Sequence, residues 1–287
     1  MSIKPRESLP YSLGRLTQSA KRILDPVVRS IRFGLRGKSG RAAPGEAWQQ
    51  RLRQHVPVFV YQMGKVASTS VYESLRSQYS GHVFHGHYFS ANHGNAELRA
   101  LYDYCNQTSP AIKVISLVRE PISRNISAFF QNFKRDTGKS IEQCGQSMLE
   151  LRDTFLKNYP HEIPWVWFDN NIKRHFGIDV YEHTFPTEGH LRLSDGSTEL
   201  LLMRHDLADQ QKASLVGEFV GLDGFSVARA NVSSDKEYSQ YMTAFQELRL
   251  PKWYLYRVFS SKYSKHFYGD EIGELMRRWQ ESDEQAA

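Results

Sequence analysis

Two short, almost uninterrupted apolar runs stand out along the chain. Val56–Met63 (VPVFVYQM) and Ala111–Val118 (AIKVISLV) are rich in β-branched and aromatic residues and lack a polar face. Such runs are expected as strands buried on both sides. Between them, apolar positions at helical spacing predict a helix across Ser68–Gln78 and another near Asn95–Asn106, with a short strand across His82–His85. After the second run, Arg119-Glu-Pro121 marks a strand end, and Pro121 suits the first turn of a helix reaching about Lys134. Helices are expected over Ser140–Asn158 and Ile163–Phe176. His190–Leu193 and Glu199–Met203, separated by Ser194-Asp-Gly-Ser197, predict a hairpin. Strand alternating with helix in the first half implies an α/β protein with a central parallel sheet and helices on both faces.

The first 53 residues follow another pattern. Leu13, Leu16, Ala20, Ile23, Leu24, Val27, Val28 and Ile31 recur at helical spacing, with Arg15, Lys21, Arg22, Arg29 and Arg32 between them. This reads either as a basic amphipathic helix touching an anionic membrane through residues 11–36, or as a leader that is poorly ordered or packed on the body. Residues 37–45 read as a flexible linker. The expected organisation is a leader and linker over 1–53 and one α/β domain over 54–287.

Charge sharpens this division. The chain carries a net charge of +6 and a pI of about 9.2. Of its 37 Lys and Arg, 12 fall in residues 1–53 beside 3 of its 31 acids, which leaves 25 basic and 28 acidic residues beyond. A body this close to neutral does not suit a nucleic-acid partner, and none is expected. No run of about 18 apolar residues exists to cross a membrane, and the amino end lacks the compact apolar stretch of a secretory signal. Cys105 and Cys144 are the only cysteines, compatible with a reducing compartment. The expected location is the cytoplasm, peripheral to the inner face of the membrane if the leader binds it.

The first apolar run leads into Gly64-Lys-Val-Ala-Ser-Thr-Ser70. A strand passing through a short loop into a helix offers backbone N–H groups and the positive helix end to an anion. Lys65 adds a cation, and Ser68, Thr69 and Ser70 add hydroxyls. The loop departs from the nucleoside-triphosphate pattern, which requires a Gly five residues before Gly64 and a hydroxyl after the lysine. Phe59 and Val66 stand at those positions. A magnesium-dependent ATPase is therefore disfavoured. At the end of the second run, Arg119 is placed to clamp a phosphate, and Ser127 follows eight residues later. The strand between carries Val83-Phe-His-Gly-His-Tyr88. Taken alone, His85 and His87 are a proton-transfer pair, a structural pair, or two zinc ligands. No metal is expected.

GKVASTS followed by LVREPISRNISAFF resembles the two nucleotide-binding motifs of carbohydrate sulfotransferases. The resemblance implies a P-loop-NTPase-like, three-layer sandwich and a reaction that uses 3′-phosphoadenylyl sulfate (PAPS) without a metal. It places the 5′-phosphosulfate on Lys65, Val66, Ala67, Ser68, Thr69 and Ser70, and the 3′-phosphate on Arg119 and Ser127. The family's usual proline before the lysine is replaced by Gly64, and a frequent glycine by Ala67. His-Gly-His is similar to the segment of uronyl 2-O-sulfotransferases that carries the catalytic base, which maps to His87 with His85 as an auxiliary. Over residues 56–275 the chain is also similar to bacterial capsular polysaccharide synthesis proteins. PWVWFDNNIKRHFGIDVY and LPKWYLYRVFSSKYSKHFYGDEI carry that likeness. The implied acceptor is a hydroxyl of a glycan or glycolipid. Two other readings stay open: a kinase-like phosphotransferase of related fold, and a non-catalytic, membrane-associated protein of envelope polysaccharide assembly.

Aromatic clusters are less specific. Trp165, Trp167 and Phe168 read either as core or as a sugar platform. Residues 251–268 contain seven aromatic residues with Lys252, Arg257, Lys262 and Lys265 and no acid. They read as an acidic-glycan groove, as a segment covering a nucleotide, or as an amphipathic helix that buries Trp253, Tyr256 and Phe259 while its cations stay solvated.

Overall fold

The two continuous apolar runs form neighbouring strands in the middle of a five-stranded sheet. A computed structural model describes residues 45–228 and 239–280, all within the unit Arg41–Ala287. The leader helix expected over residues 11–36 lies outside the described residues. Helix α1 (Glu46–Gln54) falls at the end of the stretch read as leader and linker, and its Leu52 is buried in the core.

The first half follows the expected alternation with boundaries moved by a few residues in either direction: β1 (Val58–Tyr61), α2 (Thr69–Gln78), β2 (Val83–Gly86), α3 (Ala96–Thr108), β3 (Ile112–Val118) and α4 (Pro121–Thr137). All of β1, and Val114–Val118 of β3, are buried. That leaves no solvent face on the central strands, as their unbroken apolar sequence requires.

Helical segments of the second half are shorter than expected. Ser140–Asn158 is two helices, α5 (Ile141–Cys144) and α6 (Met148–Asn158). Gly145 takes a left-handed conformation that ends the first, and Ser147 with Glu150 forms a capping box that starts the second. Over Ile163–Phe176 the chain runs as α7 (Ile163–Phe168), a π-helical turn (Asp169–Lys173) and α8 (Arg174–Phe176). At the widened turn, the Tyr61 hydroxyl donates to Asn171 Oδ1 at 2.5 Å, and Asn171 Nδ2 donates to the Trp167 carbonyl at 2.8 Å.

The hairpin forms as β4 (His190–Asp195) and β5 (Thr198–Arg204). It corrects the expectation of a parallel sheet. Strand order is β2-β1-β3-β5-β4; the first four strands are parallel and β4 pairs antiparallel with β5. Asp195 pairs with Thr198 across Gly196-Ser197, and so short a connection can only return the chain antiparallel. The sheet is therefore mixed.

Helices α9 (Asp209–Val220), α10 (Ser239–Glu247), α11 (Lys252–Phe259), α12 (Lys262–Tyr268) and α13 (Ile272–Trp279) complete the described chain. Among the described residues no helix is long and apolar enough to cross a membrane. Trp167 and Phe168 are buried, and Trp165 is half-buried. Helix α11 is rotated relative to expectation. Tyr254, Leu255, Val258 and Phe259 form one apolar face and are buried, whereas Trp253 and Tyr256 are 56% and 63% exposed. A helix buries one stripe, and the four-residue stripe takes the core.

One topological consequence positions the chemistry. From β1 the chain moves to β2 on one side, then returns past β1 to β3 on the other. Strand order reverses between β1 and β3, and the loops leaving their carboxyl ends part there. Open α/β sheets place ligands in that crevice.

Candidate active site

Both loops at the reversal come from the motifs singled out in the sequence. After β1, Gly64, Lys65 and Ala67 adopt φ of 81°, 64° and 59°. A left-handed conformation costs a residue with a side chain about 1–2 kcal/mol, so Lys65 and Ala67 need restraint from their surroundings. Val66 is fully buried between them. From α4, the Arg124 guanidinium donates to the carbonyls of Met63 at 2.9 Å and Gly64 at 3.1 Å. Arg119, just past β3, donates to the Lys65 carbonyl at 3.1 Å. Carbonyls of three successive loop residues are thus held by two arginines.

The two helix starts at the reversal differ. Helix α4 is capped by its own side chain: the buried Glu120 carboxyl oxygens accept from the N–H groups of Ile122 at 2.8 Å and Ser123 at 2.7 Å. Helix α2 has no side-chain cap. Its first N–H groups lack intrahelical partners by construction, so the start of α2 is the end suited to an external anion. Lys65 is partly exposed beside it, Ala67 is exposed, and Thr69 and Ser70 are partly exposed in the first turn.

Ser68 does not cap because its hydroxyl is used elsewhere. Gln62, buried where β1 ends, donates from Nε2 to Ser68 Oγ at 2.7 Å, and its Oε1 accepts from the Gly64 N–H. Ser68 Oγ lies 3.0 Å from His85 Nε2, and Gln62 Nε2 lies 3.2 Å from the same nitrogen. Two donors converge there, so His85 Nε2 is an acceptor and the ring proton sits on Nδ1. Its pKa is pushed down to about 4, by burial first and by His87 second.

His87 has the opposite arrangement. Its Nδ1 lies 3.0 Å from the Gln62 carbonyl. A carbonyl only accepts, so this bond needs the proton on Nδ1 and leaves Nε2 with its lone pair; Gln62 Nε2, a donor at 3.2 Å from the same Nδ1, is the longer contact. The ring packs against Gly64, where an added Cβ would meet its atoms at 3.6–3.7 Å. Trp167 Nε1 donates to the His87 carbonyl at 3.1 Å. The residue keeps an exposed face, and its pKa lies below the ordinary imidazole value. Burial is the main cause; the Gln62 carbonyl opposes it, and the charges of Arg124 and Lys65 lower it further. Of the two histidines, His85 has its Nε2 inside the network, whereas the shorter contact of His87 leaves its Nε2 outside.

Arg119 is anchored at its backbone by the Tyr263 hydroxyl, which donates to the Arg119 carbonyl at 2.8 Å and accepts from its N–H at 3.1 Å. Its buried Nε has no hydrogen-bond partner, nor has Nδ1 of His205 just past β5. Burial lowers the His205 pKa to about 4, with the Arg119 charge acting in the same direction. Ser127 stands two turns into α4, 8% exposed, and no hydrogen bond joins its hydroxyl to Arg119 or to the β1 loop. Lys65, Ser68, His85, His87 and Arg119 are therefore brought together at one end of the sheet, whereas Ser127 makes no direct link to them.

Sequence reasoning missed Gln62, Arg124 and Tyr263. Gln62 interrupts an apolar run, and Arg124 falls among buried positions of α4, so polarity out of place was the available signal. The Arg124 guanidinium, 4% exposed, also donates from NH1 to Asn125 Oδ1 at 2.9 Å and to the Tyr159 hydroxyl at 2.8 Å. Asn125 Nδ2 in turn donates to the His161 carbonyl at 3.1 Å, and Tyr254 Oη lies 2.9 Å from His161 Nδ1. The loop is thereby tied through α4 to α11. Among the described residues no group of three or more His, Cys, Asp or Glu is placed to hold a metal ion. A pocket of about 300 Å³, lined by Arg53, His55, Tyr104 and neighbouring residues, lies at the amino ends of β1 and β3 and is remote from this site.

Buried histidines carry a pH prediction. His161 is held down to about 4, chiefly by burial, against the opposing Phe155 carbonyl. Its folded-state value lies below the unfolded value of about 6.5, so the native state binds fewer protons. The associated stability is fully present above about pH 6.5 and is lost as pH falls toward 4, on the order of 3 kcal/mol for this group. Glu120, raised by full burial, acts in the opposite sense. Urea unfolding of wild type and His161→Gln at pH 7, 5.5 and 4 separates the two. The stability gap between the proteins should shrink as pH falls, and a constant gap would contradict a neutral buried His161.

Fold and site together define an α/β protein with an uncapped helix start at a strand-order reversal and a histidine presenting a free basic nitrogen beside it. Residues 139–269 match the family model NKWYS, described as "Putative capsular polysaccharide synthesis protein". The match covers under half of the chain. It takes in α5 to α12, including the Trp165 and Trp253 segments, and leaves out the β1 loop, His87, Arg119 and Arg124. No curated protein and no solved structure matches the chain.

Proposed function

We propose that the chain transfers the sulfuryl group of 3′-phosphoadenylyl sulfate to a hydroxyl of a carbohydrate acceptor, a glycan or glycolipid of surface-polysaccharide synthesis. One observation carries this reading: the β1 loop and Arg119 meet at the strand-order reversal, with His87 packed on Gly64 and its Nε2 lone pair unengaged. The donor fits the residues present. An uncapped helix start and Lys65 suit its phosphosulfate end, and the unpartnered Arg119 Nε suits a second phosphate.

When bound, the nucleotide supplies an activated sulfuryl group and a phosphate leaving group. The remaining chemistry falls to the chain. His87 Nε2 takes the proton of the acceptor hydroxyl as that oxygen becomes a nucleophile. The Gln62 backbone carbonyl, at 3.0 Å from Nδ1, favours the tautomer that allows this. Lys65 and the first N–H groups of α2 stabilise negative charge at the loop. Ser68 and His85 are engaged with each other and with Gln62, so they hold the loop and the base in place. Family resemblance in the helical half to polysaccharide synthesis supports a sugar acceptor.

Thermal unfolding with adenosine 3′,5′-bisphosphate, compared with ADP plus magnesium, tests the reading. The bisphosphate alone should raise the midpoint. Arg119→Ala should weaken its binding by about 10- to 150-fold, the equivalent of one charge-assisted hydrogen bond of about 1.5–3 kcal/mol. A response to ADP and magnesium alone would replace this reading with a phosphotransferase.

A further inference from the structure

Helix α11 turns two aromatic rings to solvent for which the fold has no use. Trp253 and Tyr256 are 56% and 63% exposed, and their i, i+3 spacing puts them on one face. Arg257, next along the helix, lies over the Trp165 ring at 5.7 Å and pairs with Glu162, which joins α7 to the same surface. Lys252, four residues before Tyr256 and so on the same face, is also exposed, and residues 251–268 contain no acid. The surface is aromatic and cationic together.

The occupant can be argued from charge and from the company the rings keep. Lys252 and Arg257 flank the rings on the same helix face, which disfavours a second copy of that face. An anionic partner is complementary. Among the described residues the other large exposed apolar side chains are Leu149 and Val166. Bilayer insertion and helix docking rely on a contiguous apolar stripe, and the other exposed positions of α11, Lys252 and Arg257, are charged. Sugar rings need less: their C–H faces lie flat on an indole or phenol while their hydroxyls and carboxylates reach polar and cationic neighbours. This helix also lies inside the segment that matches the polysaccharide synthesis family.

We propose that the outward face of α11, carried by Trp253 and Tyr256, binds an acidic polysaccharide chain. Its role as the acceptor rests on the sulfuryl-transfer reading; its role as a binding surface does not. On its inner face Tyr254 bonds His161, which is linked through Asn125 to Arg124, the arginine that holds the β1 loop.

Affinity electrophoresis of the full chain through alginate, hyaluronan or polygalacturonate, with neutral dextran as control, tests the proposal. At least one acidic polymer should retard the wild-type protein, and dextran should not. Trp253→Ala and Tyr256→Ala should each weaken that retardation by about tenfold, in the range of a lost aromatic contact. Both should keep the wild-type unfolding midpoint and its response to adenosine 3′,5′-bisphosphate. No retardation of wild type by any acidic polymer, or equal retardation of the variants, would overturn it. So would phosphatidylglycerol-vesicle binding that the variants lose while the polymers stay inert, which would make this a lipid surface. If the polymers bind through Trp253 and Tyr256 but wild type ignores the bisphosphate, the platform stands and the sulfuryl-transfer reading falls.

Discussion

His87→Ala should lower turnover by about 10²- to 10⁴-fold, the usual contribution of a positioned general base, while the response to adenosine 3′,5′-bisphosphate stays at the wild-type level. The reason lies in the geometry of one ring. Its Nδ1–H is committed to the Gln62 carbonyl, so the proton-accepting nitrogen is Nε2. Alanine removes that nitrogen and leaves the loop contacts of Arg119 and Arg124 untouched. His85→Ala is the informative partner variant. His85 is held neutral inside the network, and its basic nitrogen already faces Ser68 and Gln62. Its loss should perturb turnover less than loss of His87 does. The pH profile gives a second readout. A base works in its neutral form, so activity falls as pH drops through its pKa, and the acidic limb should lie below about 6.5 because the His87 value is lowered. If His87→Ala retains turnover, the base lies elsewhere.

Arg124→Ala should destabilise the fold by at least about 3 kcal/mol, since each buried polar group left without a partner costs about 1–3 kcal/mol. Four acceptors lose their donor at once: the Met63 and Gly64 carbonyls, Asn125 Oδ1 and the Tyr159 hydroxyl. Two of them belong to the left-handed loop, which should relax and lose its hold on an anion. Arg124→Lys separates charge from shape. Lysine keeps the positive charge but cannot span all four acceptors, so stability should be partly recovered and the His87 pKa should remain lowered. In Arg124→Gln the cation is gone, and His87 should titrate at higher pH, because Arg124 is one of the charges that lowers it. Urea unfolding and NMR titration of the His87 ring give the two numbers. An unchanged midpoint in Arg124→Ala would show that the loop does not depend on this side chain.

Much of the scaffold was legible before any coordinates. Val58–Tyr61 and Ile112–Val118 were recognisable as buried strands because they lack a polar face, and Pro121 marked the start of α4 because proline suits a first helical turn. The break at Gly145 was hidden, since a single glycine among helix-compatible residues does not announce a left-handed cap until the second helix is seen to start at Ser147. The orientation of α11 was hidden for another reason. Its sequence is apolar on most sides, and only the neighbours it packs against decide which stripe is buried.

The site divides along the same line. Local order in the chain determined the loop itself: Gly64 and Lys65 after a strand, hydroxyls at the start of a helix, an arginine at the end of another strand, and two histidines one residue apart. Those features follow from neighbours in sequence, because a strand end, a loop and a helix start are consecutive. Which histidine keeps a nitrogen outside the network, why Ser68 does not cap α2, and that Arg119 and Arg124 grip the loop from 54 and 60 or more residues away were decided by tertiary structure alone. The first two depend on β1 lying beside β2 and the third on β1 lying beside β3, and no local pattern encodes those pairings.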